Sequence, residues 1–474
     1  MAKPDPNEFD QAERTPSKIG ESHEQGITHD AVFGDITKDG PNYRDIGMLG
    51  TAVLMIKSQI GLGVLSIPFT LHALGMVPGV LIIIAIALMT CWSNYVIGIF
   101  KQRHPEVYSI DDAAGLMFGR IGKELFAALF CLFLLTTNQV FTFCCGSALL
   151  SLSIALNALS LHGACTAVFV VVAAIVAFLF GSIQTLSRIS WLAWVGTVSI
   201  LTAILTVSIA VSRQDRPAAA PTTGEFHSDY RIISSPSFTD AVAAISSIVF
   251  SYAGVPAFFN IASEMKDVRH YNKALTICVL FLTGVYLVIG ILVYYYCGSY
   301  VASPAPGSAG PLVKRVAYGL AFPGLMVSCI LPNHYTAKYL FVRFLRDSKH
   351  LTANTFTHWA VWLSCTGGVA LLAYIIASAI PIFGNLISLI GALMGTILSF
   401  QPYGCMWLYD NWSDGKANPT WWWRMMVCWS VFIIAIGSFL MVSGTYASIV
   451  AIIDGFKADG GTRPWSCADN SGST

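Results

Sequence analysis

Between about residue 50 and residue 450 the chain is a succession of long apolar runs with short polar connections, and no water-soluble fold can bury that many. A hydrocarbon layer is about 30 Å thick, so a helix needs about 20 apolar residues to cross it. Eleven runs meet that length: near 50–72, 75–100, 125–150, 164–181, 190–212, 240–262, 274–297, 316–342, 358–378, 382–409 and 425–450. A membrane barrel would show weak alternating segments of about ten residues instead. Composition agrees, with 55% of the 474 residues hydrophobic and only 11% charged, against about 25% in a soluble domain. The expectation is an all-α polytopic protein embedded in a lipid bilayer.

The ends read differently. Residues 1–47 are polar and poor in large apolar groups, which predicts a disordered tail and no cleavable signal peptide. The membrane domain then spans 48–450, and 451–474 form a second tail. Net charge is +1, with none of the clustered Lys and Arg that a nucleic-acid partner requires. The 12 cysteines fall mostly inside apolar runs, where thiols act as small hydrophobes, so no disulfide framework is expected. Nothing in the sequence calls for a metal or cofactor.

Charge also orients the chain. With the N-terminus inside, the inner tail and loops hold 18 Lys and Arg and the outer ones seven. Positive residues stay on the cytoplasmic side, so residues 1–47 are expected there and 451–474 outside or in a lumen. Trp421 to Trp423 read as an interfacial aromatic belt.

The first run contains "KSQIGLGVLSIPF", residues 57–69, where two glycines and a proline interrupt a helix near mid-membrane. Each Gly weakens a helix by about 1 kcal/mol relative to Ala, and Pro68 leaves the Val64 carbonyl without its helical donor. The sixth run repeats the device in "VFSYAGVPAFF", residues 249–259. Spans one and six open the two halves of a five-plus-five arrangement, and an odd number per half inverts the second. Interruptions at matching places in two halves point to a transporter's binding site. Amides of Gly61, Leu62 and Gly63 at a helix N-terminus suit a carboxylate. Carbonyls near Phe250, Ser251, Tyr252 and Gly254 suit an ammonium. Together they describe a site for a zwitterion, an amino acid. A packing kink is the plainer reading of either break alone.

"IGLGVLSIP" (60–68) and "SYAGVPAFFNIASEM" (251–265) resemble the amino acid/auxin permease family, close to its fungal neutral amino-acid permeases, over about residues 45–450. The resemblance implies eleven transmembrane helices, a leucine-transporter-type inverted repeat with broken helices 1 and 6, and alternating access. It also implies amino-acid transport coupled to protons or, in some relatives, sodium.

Other residues could tune such a site. Asn138 and Gln139 of span three either read the substrate side chain or bond a neighbouring helix. No carboxylate is expected deep in a span, which argues against cationic substrates and favours neutral, large or aromatic ones. In span eight, Ser328 and Thr336 are candidate cation ligands, and His334 and Lys338 candidate proton carriers or fixed charges. Lys57 is expected to snorkel towards the cytoplasm. Glu264, beside Lys266, Asp267 and Arg269, is either a solvated end or a gate paired with Arg44 or Lys57. Gly391 and Gly395 suggest close helix approach, and Asp111 with Asp112 a helix cap. A membrane enzyme would need a nucleophile, a base and an orienting group together, and none is evident. A sensor of the same fold, a sodium-coupled carrier and a vacuolar exporter stay open beside a plasma-membrane proton symporter.

Overall fold

A computed structural model describes residues 28–30, 34–36, 44–60, 63–120, 140–184, 186–221, 225–253, 255–345, 348, 350–351, 354–379, 387–389, 391–458, 465 and 467–471. Among the described residues the fold is carried chiefly by α1 Met48–Gln59, α2 Gly63–Leu74, α3 Met76–Arg103, α4 Val140–Ser160, α5 Thr166–Gly181, α6 Leu186–Arg213, α7 Phe238–Ser251, α8 Val255–Ser263, α9 Tyr271–Cys297, α10 Pro311–Leu345, α11 Phe356–Ala379, α12 Gln401–Ala417 and α13 Trp421–Ala458. A two-strand hairpin, Thr28–Asp30 with Gly34–Ile36, lies within the polar N-terminal stretch.

Among the described residues, six helices are long and apolar enough to cross a membrane, and eight if each bent pair is one span. Eleven is therefore a count these residues do not reach by length alone. Two spans are bent: Met48–Gln59 against Val64–Leu74 by 52°, and Ile387–Leu393 against Thr396–Ala417 by 51°. The second bend passes through a π-helical turn, Gly391–Gly395. A Cβ on Gly391 would lie 1.9 Å from the Ser246 carbonyl oxygen, so α7 packs against bare backbone there. The expected close approach is real at Gly391.

The longest helices divide the labour. α10 has 61% of its apolar stretch buried and packs on α4, α5, α6 and α11, whereas α13 has only 22% buried and lies at the periphery. Within α10, Pro332 cannot donate to the Ser328 carbonyl, and Thr336 Oγ1 in turn bonds the Pro332 carbonyl at 2.8 Å. α7 begins at Ser237, whose Oγ accepts the Asp240 N–H at 3.1 Å as an N-cap.

Loops gather on two faces. On the N-terminal face, Asp410 pairs with Arg103 at 3.4 Å and His104 at 2.9 Å, and Asp111 with Arg343 at 3.2 Å. The aspartate dyad thus does more than cap: Asp111 is an ion-pair partner, while Asp112 accepts the Tyr108 N–H. Burial pushes the Asp111 carboxyl above its ordinary range, with Asp112 adding to it and Ser109, Tyr339 and Arg343 opposing.

The far face holds a correction. Cys165 and Cys467 form a disulfide. Cys165 falls at the edge of the run 164–181, where it caps the start of α5, and Cys467 belongs to the C-terminal tail, so treating the thiols as buried hydrophobes failed for these two. Around the bridge, Asn157 donates to Thr166 and Asn470, Asn470 donates to Ser153, Thr166 donates to the Ala468 carbonyl, and Lys314 donates to the Ser471 carbonyl. The tail is therefore fastened to α4, α5 and α10. A non-reducing digest of the native protein should yield the Cys165 and Cys467 peptides linked, and separated after reduction. Cys467→Ser should lower stability by about 2–4 kcal/mol in thermal unfolding.

Candidate functional site

The two breaks meet at one phenol. α1 ends at Gln59, and Ile60 leaves the helix in an extended conformation. α7 ends at Ser251, after which Tyr252 and Ala253 form a turn before α8. Tyr286, fully buried on α9, places its hydroxyl 2.7 Å from the Ser251 carbonyl oxygen and 3.2 Å from that of Gln59. An unmade hydrogen bond on a buried carbonyl costs about 1–3 kcal/mol, and this hydroxyl offers its proton to both helix ends. Tyr252 packs edge-on against Tyr286 at 5.1 Å, and its hydroxyl donates to Thr283 at 3.1 Å. Phe250 backs onto Gly391, and Ser251 Oγ is turned to the Ser247 carbonyl. Of the expected amides, Gly63 starts α2; Gly61, Leu62 and Gly254, like Asn138 and Gln139, lie outside the described residues.

Lys57 does not snorkel. It is 2% exposed, and Nζ donates to the Ile60 carbonyl at 3.0 Å and to Ser328 Oγ at 2.6 Å. Ser328 Oγ donates onward to the Gly324 carbonyl at 3.0 Å. Room for the stem comes from α6, where a Cβ on Gly196 would lie 2.8 Å from Lys57 Cε. Having curled back to the carbonyl end of its own helix, the ammonium meets a negative dipole end. It fills the gap between the first break and α10.

The other span-eight candidates separate. Thr336 spends its hydroxyl on its own helix. His334, fully buried, turns to α5 and α11, with Nδ1 3.3 Å from the Gly181 carbonyl oxygen and its ring 5.6 Å from that of Trp362. Lys338 pairs with Glu264, Nζ to Oε1 at 2.7 Å, with side chains 3% and 2% exposed. Glu264 is thus not a solvated end but a partner of Lys338, and a carboxylate does lie deep in the protein. Helix α8 folds it inward because the chain turns immediately after Ser263. The same turn receives the segment before α1: Ile46 N–H donates to the Glu264 carbonyl at 3.2 Å, and Lys266 N–H to the Ile46 carbonyl at 3.0 Å. Ion pair and backbone bridge thus lie together where the chain turns after α8.

Sequence reasoning passed over two residues. Gln59, 6% exposed at the first break, has a side-chain oxygen with no hydrogen-bond partner among the described residues. An orphaned buried acceptor beside two helix ends is where an ammonium or amide of a ligand would be received. Its signal was adjacency to the motif. Tyr286 is one of 18 tyrosines and had none.

Comparison with known proteins follows the same line. The family model described as transmembrane amino acid transporter protein matches residues 44–450. The chain belongs to that family. It is 35% identical over 455 residues to a transmembrane transporter of Gibberella moniliformis, covering 96% of this chain and 93% of the relative. It is 31% identical over 433 residues to the N amino acid transport system protein of Neurospora crassa, covering 90% and 89%. These relatives are transporters, not enzymes. Among solved structures, Mhp1, a nucleobase-cation-symport-1 family transporter, matches in a closed, bromovinylhydantoin-bound conformation with TM-score 0.51 and 14% identity over 92% of this chain and 98% of that one. Its inward-facing form gives 0.52 and 15% over 92% and 96%. At these identities the likeness shows the fold alone, an all-helical fold of the leucine-transporter type.

Removing one partner of a buried ion pair leaves an uncompensated charge, at a cost of about 3–5 kcal/mol. Glu264→Gln or Lys338→Met alone should therefore lower thermal stability clearly in detergent. The double variant should recover most of the loss.

Proposed function

We propose that this family member is a secondary active symporter carrying neutral, large or aromatic amino acids together with a proton, by alternating access. The observation that supports the substrate class is the meeting of both interrupted helices at Tyr286, with the Gln59 oxygen free beside them. The start of α2 would receive the carboxylate, and the carbonyl end of α7 with Gln59 the ammonium. The site of the substrate lies at the junction, and the protein alternately exposes it.

Lys57 supports the proton. A fixed ammonium already stands between the first break and Ser328, so a sodium ion is not needed there to neutralise the carbonyl end of α1. Lys57 faces no carboxylate within ion-pair distance among the described residues, so loss of its proton would leave no stranded anion. Releasing Ser328 and the Ile60 carbonyl on deprotonation would free α1 from α10, coupling proton occupancy to movement of the first break. Glu264, Lys338 and the Ile46 bridge act as the inner gate, and the N-terminal face is cytoplasmic on the charge count above. The plasma membrane is the proposed location.

Uptake of radiolabelled neutral amino acids by transport-deficient cells tests this directly, at about pH 5 and about pH 7.5, with and without sodium. Saturable uptake should fall at the higher pH and ignore sodium. Lys57→Ala should remove that pH dependence, and Tyr286→Phe should lower uptake about tenfold, equivalent to about 1.4 kcal/mol. Sodium-dependent uptake would return Ser328 to the role of a metal-ion ligand. A surface-expressed protein that binds amino acids without flux would instead be a sensor.

A further inference from the structure

Helix α10 is continuous from Pro311 to Leu345, yet a side chain from another helix engages one rung of its hydrogen-bond ladder. Ser199 Oγ on α6 accepts the Gly324 N–H at 3.0 Å and donates to the Leu320 carbonyl at 2.5 Å. In an α-helix these two groups belong to each other, because the N–H of residue i bonds the carbonyl of residue i−4. A hydroxyl both donates and accepts, so it can satisfy both sides of that rung while the backbone groups stand apart. Insertion of a side chain into the ladder is one of the few causes of a sharp helix bend.

The same stretch is weakened from within. Pro323 has no N–H, so the Gly319 carbonyl has no helical donor, and Pro332 leaves the Ser328 carbonyl in the same condition. Ser328 therefore rides on a short piece of helix, 324–331, with a loosened rung at either end. Its hydroxyl is the one that receives Lys57 Nζ and donates to the Gly324 carbonyl. One chain of hydrogen bonds thus runs from Lys57 of α1 through Ser328 and both backbone groups of Gly324 to Ser199 of α6.

The crossing of α6 over α10 fixes where this happens. A Cβ on Gly324 would lie 2.7 Å from the Gly196 carbonyl oxygen, and one on Gly196 would lie 2.8 Å from Lys57 Cε and 3.0 Å from Val327 Cβ. Bare backbone on both sides lets the helices meet closely, and Ser199 follows Gly196 by one turn, within reach of the rung. Neighbouring hydroxyls of α6 are spent on their own helix: Thr197 bonds the Ala193 carbonyl, Thr202 that of Val198 and Thr206 that of Thr202, each at 2.8 Å. Of these four, Ser199 is the one turned to a neighbouring helix. Gly319, Leu320 and Pro323 lie on the exposed side of α10, so packing does not brace the weakened stretch there.

We propose that Ser199 is a positioning residue for transport: by holding the Leu320–Gly324 rung open it gives α10 a pivot on which Ser328 swings away from Lys57 in each cycle, a role that rests on the reading of Lys57 as the coupling group. A rung closed directly between backbone groups stiffens α10. One closed through Ser199 lengthens and shortens with the position of α6. Parting of Lys57 from Ser328 is then a rotation of segment 324–331, not an unwinding of α10, and both backbone groups keep a partner throughout, as hydrocarbon requires.

The test is uptake of radiolabelled L-leucine and L-phenylalanine by transport-deficient cells at about pH 5, with surface protein measured by biotinylation. Ser199→Ala lets Gly324 bond Leu320 directly, and should lower the maximal rate per surface molecule about tenfold with KM within about twofold. Ser199→Thr keeps the hydroxyl and should stay within about twofold of wild type in both quantities. Pro323→Ala gives Gly319 its donor and stiffens the same place without touching Ser199, so it should slow turnover too, and it decides the matter where Ser199→Ala does not reach the surface. Thr202→Ala, on the same helix, should change neither quantity. A wild-type maximal rate in surface-expressed Ser199→Ala or Pro323→Ala, or equal losses in Ser199→Ala and Ser199→Thr, overturns the pivot and leaves the transport reading intact. The Lys57 reading is decided separately, by the pH dependence of wild type and Lys57→Ala. No uptake of either probe by wild-type protein at the surface overturns both.

Discussion

A helix interrupted inside hydrocarbon has carbonyls that water cannot reach, and each must be answered from within the protein. Here the answer for two helices is shared. The Tyr286 hydroxyl stands between the last carbonyl of α1 and that of α7, so the two breaks hold a common position relative to α9. Everything proposed about the substrate depends on that junction. It keeps two half-helices poised with their loose ends facing one place, while α10 and α6 supply the packing behind them. The phenol is also a modest tether. One proton divided between two acceptors holds less firmly than two separate bonds would, which suits helices expected to move.

Lys57 and Lys338 show how a buried ammonium can be accommodated in different ways. Lys338 is met by a carboxylate, and their charges cancel at 2.7 Å. Lys57 is met by dipoles: the carbonyl closing α1 and a serine hydroxyl already linked to Gly324. A paired charge resists loss of its proton more than one held by neutral groups, because deprotonation strands its partner. The first arrangement suits a latch and the second a site that gives up and regains a proton. Gly196 shows that the second is built in, since α6 makes space for the lysine stem.

Much of this was legible in the sequence, and the rest was hidden for definite reasons. The membrane class follows from run length, and the breaks from Gly and Pro at mid-run, because these features are local in the chain. Lys57 was visible but misjudged. The lean of helical side chains suggested the nearer surface, whereas a helix ending only two residues later lets the chain curl round its own terminus. The solvated reading of Glu264 failed for a similar reason: charged neighbours Lys266, Asp267 and Arg269 suggested water, yet the turn after Ser263 directs this one carboxylate inward to a lysine 74 residues away. Tyr286 and the Cys165–Cys467 pairing were out of reach, since each depends on segments brought together only by the fold.

The bridge joining the tail to the loop before α5 has a topological consequence. With 302 residues between the two cysteines, it closes a covalent ring that passes through both halves of the transporter, from α5 to the tail. A protease that cuts any loop within that ring produces no separate fragments: α6 through α13 remain one molecule until the sulfurs part. The protein therefore keeps its covalent continuity after a single nick in any connection between α5 and the tail.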